Sequence, residues 1–258
     1  MSNSIKVEIL DQGICTISLN RTPVNALSFD MLFELNKTFQ KIENNATVRI
    51  VILKSNLKHF SAGADLKERK IMSKKDAGSA LDNFNDCFNT IENLSKPVIC
   101  LINGYCLGGG AELSLSCDIR VGSKDSIIGF PEVSIGIIPG AGGTQRLPKT
   151  IGISNAKYWI YSAKKFTAED AYQYGFLNFM EDYDNLLDKG IYIAKEILKN
   201  APIAVSCSKR SINMGYNKKM NEALEIERNN YKVTLNTKDR DEALDAFINK
   251  RKPIWKNE

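Results

Sequence analysis

The chain has 258 residues, enough for one large domain or a core with a smaller appendage, and its 43% hydrophobic content supports a sizeable buried core. A net charge of +5, from 35 basic and 30 acidic residues, permits a polyphosphate ligand and does not require nucleic acid. No apolar span is long enough to cross a bilayer, and Met1-Ser2-Asn3-Ser4 opens onto a strand without a charged and apolar leader, so a soluble cytoplasmic protein is expected.

Residues 5–10 and 14–19 alternate in polarity around Asp11-Gln12-Gly13, a hairpin signal. Ser28 is placed to cap a helix that sets Met31, Leu32, Leu35, Phe39 and Ile42 along one face. Residues 48–53 form a nearly continuous apolar run and read as a buried strand. A loop of small residues follows, His59-Phe60-Ser61-Ala62-Gly63-Ala64-Asp65-Leu66-Lys67, in which backbone can approach a ligand. Lys67, Arg69, Lys70, Lys74 and Lys75 then make a basic cluster diluted by Glu68 and Asp76, the pattern of a solvated helix face.

The most informative stretch is residues 96–146. Lys96-Pro97-Val98-Ile99-Cys100-Leu101-Ile102-Asn103-Gly104 reads as a buried strand, and Gly108-Gly109-Gly110-Ala111-Glu112-Leu113 as a tight turn entering a helix. The first turn of a helix leaves amide N–H groups without internal partners, and glycines let a ligand reach them, so the Gly109 N–H is a candidate donor to an oxyanion. Glu112 lies one turn on, near the positive end of the helix dipole, which favours its ionised form and a role as base. Glu132 follows Pro131 among Phe130, Val133 and Ile135, an apolar setting that raises a carboxyl pKa and suits an acid.

Other chemistries are poorly supplied. Cys15, Cys87, Cys100, Cys106, Cys117 and Cys207 lie mostly in apolar segments with no Cys-x-x-Cys pair, so they read as buried small hydrophobes, with no metal site or disulfide framework expected. His59 is the sole histidine and no Gly-x-Ser-x-Gly elbow accompanies it, which argues against a serine triad. Carboxylates are the acid–base candidates.

Taken in order, Asn103-Gly104, Gly108-Gly109-Gly110-Ala111-Glu112-Leu113, Cys117-Asp118-Ile119-Arg120, Pro131-Glu132 and Ile138-Pro139-Gly140-Ala141-Gly142-Gly143-Thr144-Gln145-Arg146-Leu147 resemble the enoyl-CoA hydratase (crotonase) family. The likeness runs from about residue 19 to the C-terminus. It implies an α/β fold, a crotonase-like spiral of β-β-α turns with a C-terminal α-helical trimerisation region. It also implies an oxyanion hole made by the amides of Ala64 and Gly109, with Glu112 and Glu132 as the catalytic pair acting on an enoyl-CoA. CoA would be part of the substrate, with no separate cofactor.

The resemblance assigns further substrate contacts to Val24 and Ala26, to Ala62, Asp65, Leu66 and Lys67, and to Pro131 and Gly140. Phe247 and Lys250 match a terminal helix that supplies an aromatic and a lysine to CoA, often from a neighbouring subunit of a homotrimer or homohexamer. Arg21 is a candidate phosphate contact. Ala64-Asp65-Leu66-Lys67-Glu68-Arg69 looks most like the methylglutaconyl-CoA hydratase branch, whose animal member also binds RNA through a lysine comb on this helix. Ile71 stands where one comb lysine is expected, and Lys70 is displaced from it by about 100° around the helix, which counts against RNA as a partner. Hydration is the expected reaction, with methylglutaconyl-CoA hydration and double-bond isomerisation as alternatives.

After Thr167-Ala168-Glu169-Asp170 the chain becomes mainly helical, with helices expected at 183–199, 202–215, 219–235 and 240–251. A soft boundary at Asn200-Ala201-Pro202 divides residues 1–200, the spiral core with the active site, from residues 201–258, a helical region for oligomerisation and closure of the CoA site.

Overall fold

The computed structural model describes residues 4–10 and 13–258; Asp11 and Gln12 of the expected hairpin turn and the side chains of Lys74 and Lys75 lie outside the described residues. The hairpin strands are β1 (Ile5–Ile9) and β2 (Ile14–Leu19), paired antiparallel. β2 continues into a parallel array with β3 (Ile50–Ser55), β4 (Val98–Ile102), β6 (Ile119–Ser123) and β9 (Phe179–Glu181). A smaller sheet contains β5 (Tyr105–Leu107), β7 (Ile127–Gly129) and β8 (Lys165–Thr167). Alternation in β1 places Val7 and Ile9 on one face, yet both are about half exposed because β1 is the edge of its sheet.

The spiral is visible in how β2, β3, β4 and β6 are each followed by a short bridged or small-sheet segment and then by a helical turn. β2 leads to Leu27, bridged to Ala64, and then to α1 (Phe29–Glu43). β3 leads to Ser61, bridged to Cys106, and then to α2 (Leu66–Ile71) and α3 (Lys74–Glu92). β4 leads to β5 and α4 (Gly109–Leu115), and β6 to β7 and a 3₁₀ turn, Pro131–Ile135. The last turn continues into α5 (Gly143–Ile151) and α6 (Ile153–Ser162), with α7 (Ala168–Gln173) after β8.

This winding coats one face of the large sheet with α1 and α3, where Met31, Leu32, Leu35, Phe39 and Ile42 are all buried, as the spacing requires. Ser28 caps α1 by accepting from the Met31 amide at 3.3 Å. The opposite face is covered by α8 (Leu186–Leu198), whose Leu186, Ile193 and Ala194 join Ile50, Ile52, Ile99, Leu101 and Val121. Burial on both faces explains why the central strands are continuous apolar runs. All six cysteines are free and buried, as expected of small core hydrophobes.

The Cys117-Asp118-Ile119-Arg120 motif ties helix to sheet. Arg120 is buried, and its guanidinium donates to the Phe176 carbonyl at 2.7 Å and to the Cys117 carbonyl at 2.9 Å, just past the end of α4. A cation there also suits the negative end of the helix dipole. Asp118 accepts from the Val98 amide at 2.7 Å and pairs with Lys209 at 2.8 Å.

Lys209 belongs to α9 (Pro202–Gly215), which packs against α10 (Met220–Leu235); α11 (Lys238–Ile248) follows. Pro202 sits in the first turn of α9, where its missing N–H costs nothing. Expected to reach 251, α11 stops at Ile248: Lys250 takes a left-handed φ of 50°, and Arg251 turns back to Glu242 and Asp245, each at 2.5 Å. Among the described residues no helix is long and apolar enough to cross a membrane.

Candidate active site

Two loops at the carboxyl ends of β3 and β4 face each other. The loop after β3 is organised by Asn25, buried with a φ of 49°, whose side-chain amide donates to Ser55 Oγ (2.8 Å), His59 O (3.0 Å) and Phe60 O (3.1 Å). Ser61 Oγ returns a hydrogen bond to Asn25 O at 2.7 Å. The Leu27 amide donates to Gly63 O at 2.8 Å and the Asp65 amide to Leu27 O at 3.1 Å, a pairing that skips the Ala64 N–H. Gly109 is the first residue of α4, so its N–H has no acceptor inside the helix. A Cβ added to Gly109 would lie 3.4 Å from Ala64 N, so both spare amides border one small space. Two spare donors so placed could together hold a developing oxyanion.

Glu112 is carried into the same cleft by α4 and is 3% exposed. Its Oε1 accepts from the Ala141 and Gly143 amides, both at 2.8 Å, because the Pro139-Gly140-Ala141-Gly142-Gly143 loop folds over it. Arg146 braces that loop by donating to Ala141 O at 3.1 Å while its fork holds Glu92 at 2.6 and 3.0 Å. Burial pushes the Glu112 pKa above its ordinary value, opposed by the Gly143 and Ala141 amides and by the charges of Arg146 and Arg69, which favour the ionised form.

Glu132 lies in the first turn of the 3₁₀ segment, 8% exposed, and its Oε2 has no hydrogen-bond partner among the described residues. Burial raises its pKa to about 7, helped by the nearby Glu112 charge and opposed by its own amide and by Arg69. Gly108, with a φ of 52°, makes room for it, since a Cβ there would stand 3.1 Å from Glu132 Oε1. One carboxyl thus carries two charge-favouring hydrogen bonds, whereas the other has a free buried oxygen that favours a proton.

The cleft is lined by Ala62, Ala64, Leu66, Gly109, Glu112, Pro131, Glu132 and Gly140 among the residues expected there. Val24, Ala26, Asp65 and Lys67 do not line it. Val24 O accepts from the Ala62 amide at 3.0 Å and Ala26 O from Arg21 at 2.8 Å, so both support the loop through their backbone. Asp65 caps α2, accepting from the Lys67 amide at 3.0 Å, and pairs with Arg21 at 2.7 Å. Burial acts to raise the Asp65 pKa, but these partners outweigh it and hold the carboxyl below its ordinary value. Arg21, read as a candidate phosphate contact, is a structural partner here.

Phe247 and Lys250 lie at the exposed end of α11, outside the cleft of their own chain. His59 accepts from the Tyr105 amide at 3.1 Å and packs on the Tyr105 ring, a structural role. Arg69, Phe84, Ile137 and Ile138 also line the cleft without being expected there, and Ile135, expected only in the apolar surroundings of Glu132, joins them. A signal existed for Arg69: it stands three residues from Leu66 on α2, on the same face.

Spiral and cleft together are those of a crotonase-fold protein. The chain belongs to the enoyl-CoA hydratase/isomerase family, whose sequence profile matches residues 10–258. It is 39% identical over 241 residues to the short-chain-enoyl-CoA hydratase of Clostridium acetobutylicum, covering 93% of this chain and 92% of that one. It is also 39% identical over 254 residues to the mitochondrial methylglutaconyl-CoA hydratase of Mus musculus, covering 96% of this chain and 81% of the relative. The crystal structure of an enoyl-CoA hydratase from Bacillus anthracis superposes with a TM-score of 0.96 at 40% identity, covering 99% of this chain and 100% of the other.

Proposed function

We propose that this chain is an enoyl-CoA hydratase, adding water reversibly and syn across the α,β double bond of a 2-enoyl-CoA thioester. The observation that carries this reading is the pair of buried carboxyls, Glu112 and Glu132, in one cleft with the amides of Ala64 and Gly109, which are unpaired among the described residues. Those amides receive the thioester oxygen, on which negative charge grows as Cβ is attacked. Glu112, anchored through Oε1, uses its other oxygen to take a proton from water as the new C–O bond forms at Cβ. Glu132 gives its proton to Cα, and the carbonyl reforms. Water's two hydrogens end on the enzyme and on the product hydroxyl, and proton exchange between the carboxyls and solvent resets the site.

The reaction so written uses acid–base groups and backbone dipoles, with CoA entering as part of the substrate. In the same reading α11 reaches a neighbouring copy in a homotrimer or homohexamer, where Phe247 and Lys250 meet its CoA. The exposed Leu224, Tyr231, Leu244 and Phe247 on α10 and α11 support such an assembly.

The test is loss of the conjugated enoyl-thioester absorbance when pure protein meets crotonyl-CoA. Rapid loss with formation of 3-hydroxybutyryl-CoA supports hydration. A shifted double bond without added water would replace it with isomerisation. Arg146→Ala is expected to lower kcat about tenfold with KM changed less than about twofold, because the brace sets the position of Glu112 and not the binding of CoA. A raised KM at unchanged kcat would show that Arg146 serves binding instead.

A further inference from the structure

We infer that Ser61 is a positioning residue for the two backbone donors: its side chain joins the segments that carry the Ala64 and Gly109 amides and fixes how those amides stand to one another. The inference rests on the hydratase reading and adds a residue to it. Ser61 is 0% exposed and is not among the residues that line the cleft, so it acts on a bound thioester through its neighbours.

On the Ala64 side, Ser61 Oγ accepts from the Gly63 amide at 3.1 Å and donates to Asn25 O at 2.7 Å. Gly63 has a φ of 93°, a conformation in which a glycine has wide freedom to turn unless it is held. Its carbonyl shares a planar peptide unit with the Ala64 N–H and accepts from the Leu27 amide at 2.8 Å. Two hydrogen bonds thus pin the peptide units on either side of Gly63, and Ser61 supplies one of them.

On the Gly109 side, the Ser61 amide donates to Tyr105 O and the Leu107 amide donates to Ser61 O, both at 3.0 Å. A Cβ on Gly110 would lie 2.7 Å from Ser61 Cβ and 3.0 Å from its Oγ, so the first turn of α4 rests on this side chain. One serine therefore touches the residue before one donor and the residue after the other.

Alanine at this position keeps the packing against Gly110 and removes the hydroxyl. The Gly63 N–H and Asn25 O lose their shared partner, and the peptide unit that aims the Ala64 N–H is released. A displacement of about 1 Å in a catalytic group is enough to cost about 100-fold.

The carbonyl stretch of a bound thioester reports these donors directly, because hydrogen bonds to the oxygen weaken the C=O bond and lower its frequency. Butyryl-CoA, saturated and so not hydrated, is labelled with heavy carbon at the thioester carbonyl and followed by infrared difference spectroscopy on the full chain. Ser61→Ala, shown folded by circular dichroism, is expected to lose most of the downshift seen in the unmodified protein. Its kcat for crotonyl-CoA is expected to fall by about 10- to 100-fold, with KM changed less than about threefold. Ser61→Cys, which keeps a weak donor and acceptor on Cβ, is expected to fall between the two proteins. Glu112→Gln is expected to keep the full downshift.

A downshift of unchanged size in folded Ser61→Ala would overturn the inference whatever the loss of kcat, since a residue that serves the fold alone leaves the carbonyl where it was. Where Ser61→Ala does not fold, Ser61→Cys decides in the same way, and failure of both to fold would make Ser61 a core residue and overturn its positioning role. Absence of any downshift in the unmodified protein, or an equal loss in Glu112→Gln, would also overturn it. If crotonyl-CoA is not hydrated but the downshift is present and disappears in Ser61→Ala, the hydratase reading falls and the Ser61 assignment stands.

Discussion

Glu112→Gln is expected to lower the turnover of crotonyl-CoA by about 10²–10⁴-fold, the range for loss of a general acid or base. Gln keeps the length of the side chain and a carbonyl oxygen, so the Ala141 and Gly143 amides that bond Oε1 at 2.8 Å retain an acceptor. The loop and the surrounding core therefore stay in place, and urea midpoints are expected to change little. An amide cannot take a proton from water at neutral pH, so the loss falls on kcat while KM moves much less. Stopped-flow and steady-state assays at enoyl absorbance separate the two. Turnover within a few-fold of the unmodified protein would remove Glu112 from the chemistry.

How much of this site is legible in the sequence depends on whether a residue acts through its own side chain or through what its neighbours leave free. Glu112 and Glu132 are legible because carboxyls in apolar or glycine-rich settings are chemically unusual wherever they fall. Gly109 is legible because the triple glycine marks a tight turn entering a helix, whose first amides are left unpaired. The Ala64 amide is not legible from its own residue type. It is spared only because Leu27 pairs around it, a contact between segments 37 residues apart (64 − 27). In the sequence reading the family resemblance supplied it.

Asp65 shows the opposite case. Polar and next to the oxyanion loop, it resembles a ligand contact, but its capping of α2 and its pairing with Arg21 use it up. Helix positions were well marked by period and caps, as in α1 and α9. The end of α11 was not, because it is set by Arg251 returning to Glu242 and Asp245, a tertiary ion cluster.

Glu132→Gln is expected to make the protein slower and more stable. Slowing of about 10²–10⁴-fold follows from loss of the proton donor to Cα. Stability follows from linkage. The Glu132 carboxyl has a folded pKa of about 7 against an ordinary 4.5, raised first by burial, and its Oε2 is buried without a partner. Between those two values the unfolded chain has released the proton and the folded chain has kept it, so the unfolded state binds fewer protons and stability falls as pH rises. The loss begins near pH 4.5 and is complete above pH 7, amounting to at most about 3 kcal/mol. Glutamine carries no charge at either end of that window. The variant and the unmodified protein should therefore have similar urea midpoints at pH 4.5, and the variant should be the more stable at pH 8. In the proposed mechanism the same titration removes the acid, so kcat/KM of the unmodified protein is expected to decline above about pH 7. In Glu132→Gln the residual rate should show no decline at that pH. Parallel stability curves for the two proteins from pH 4.5 to 8 would mean that Glu132 ionises freely in the fold, and the proton donor to Cα would then have to be sought elsewhere in the cleft.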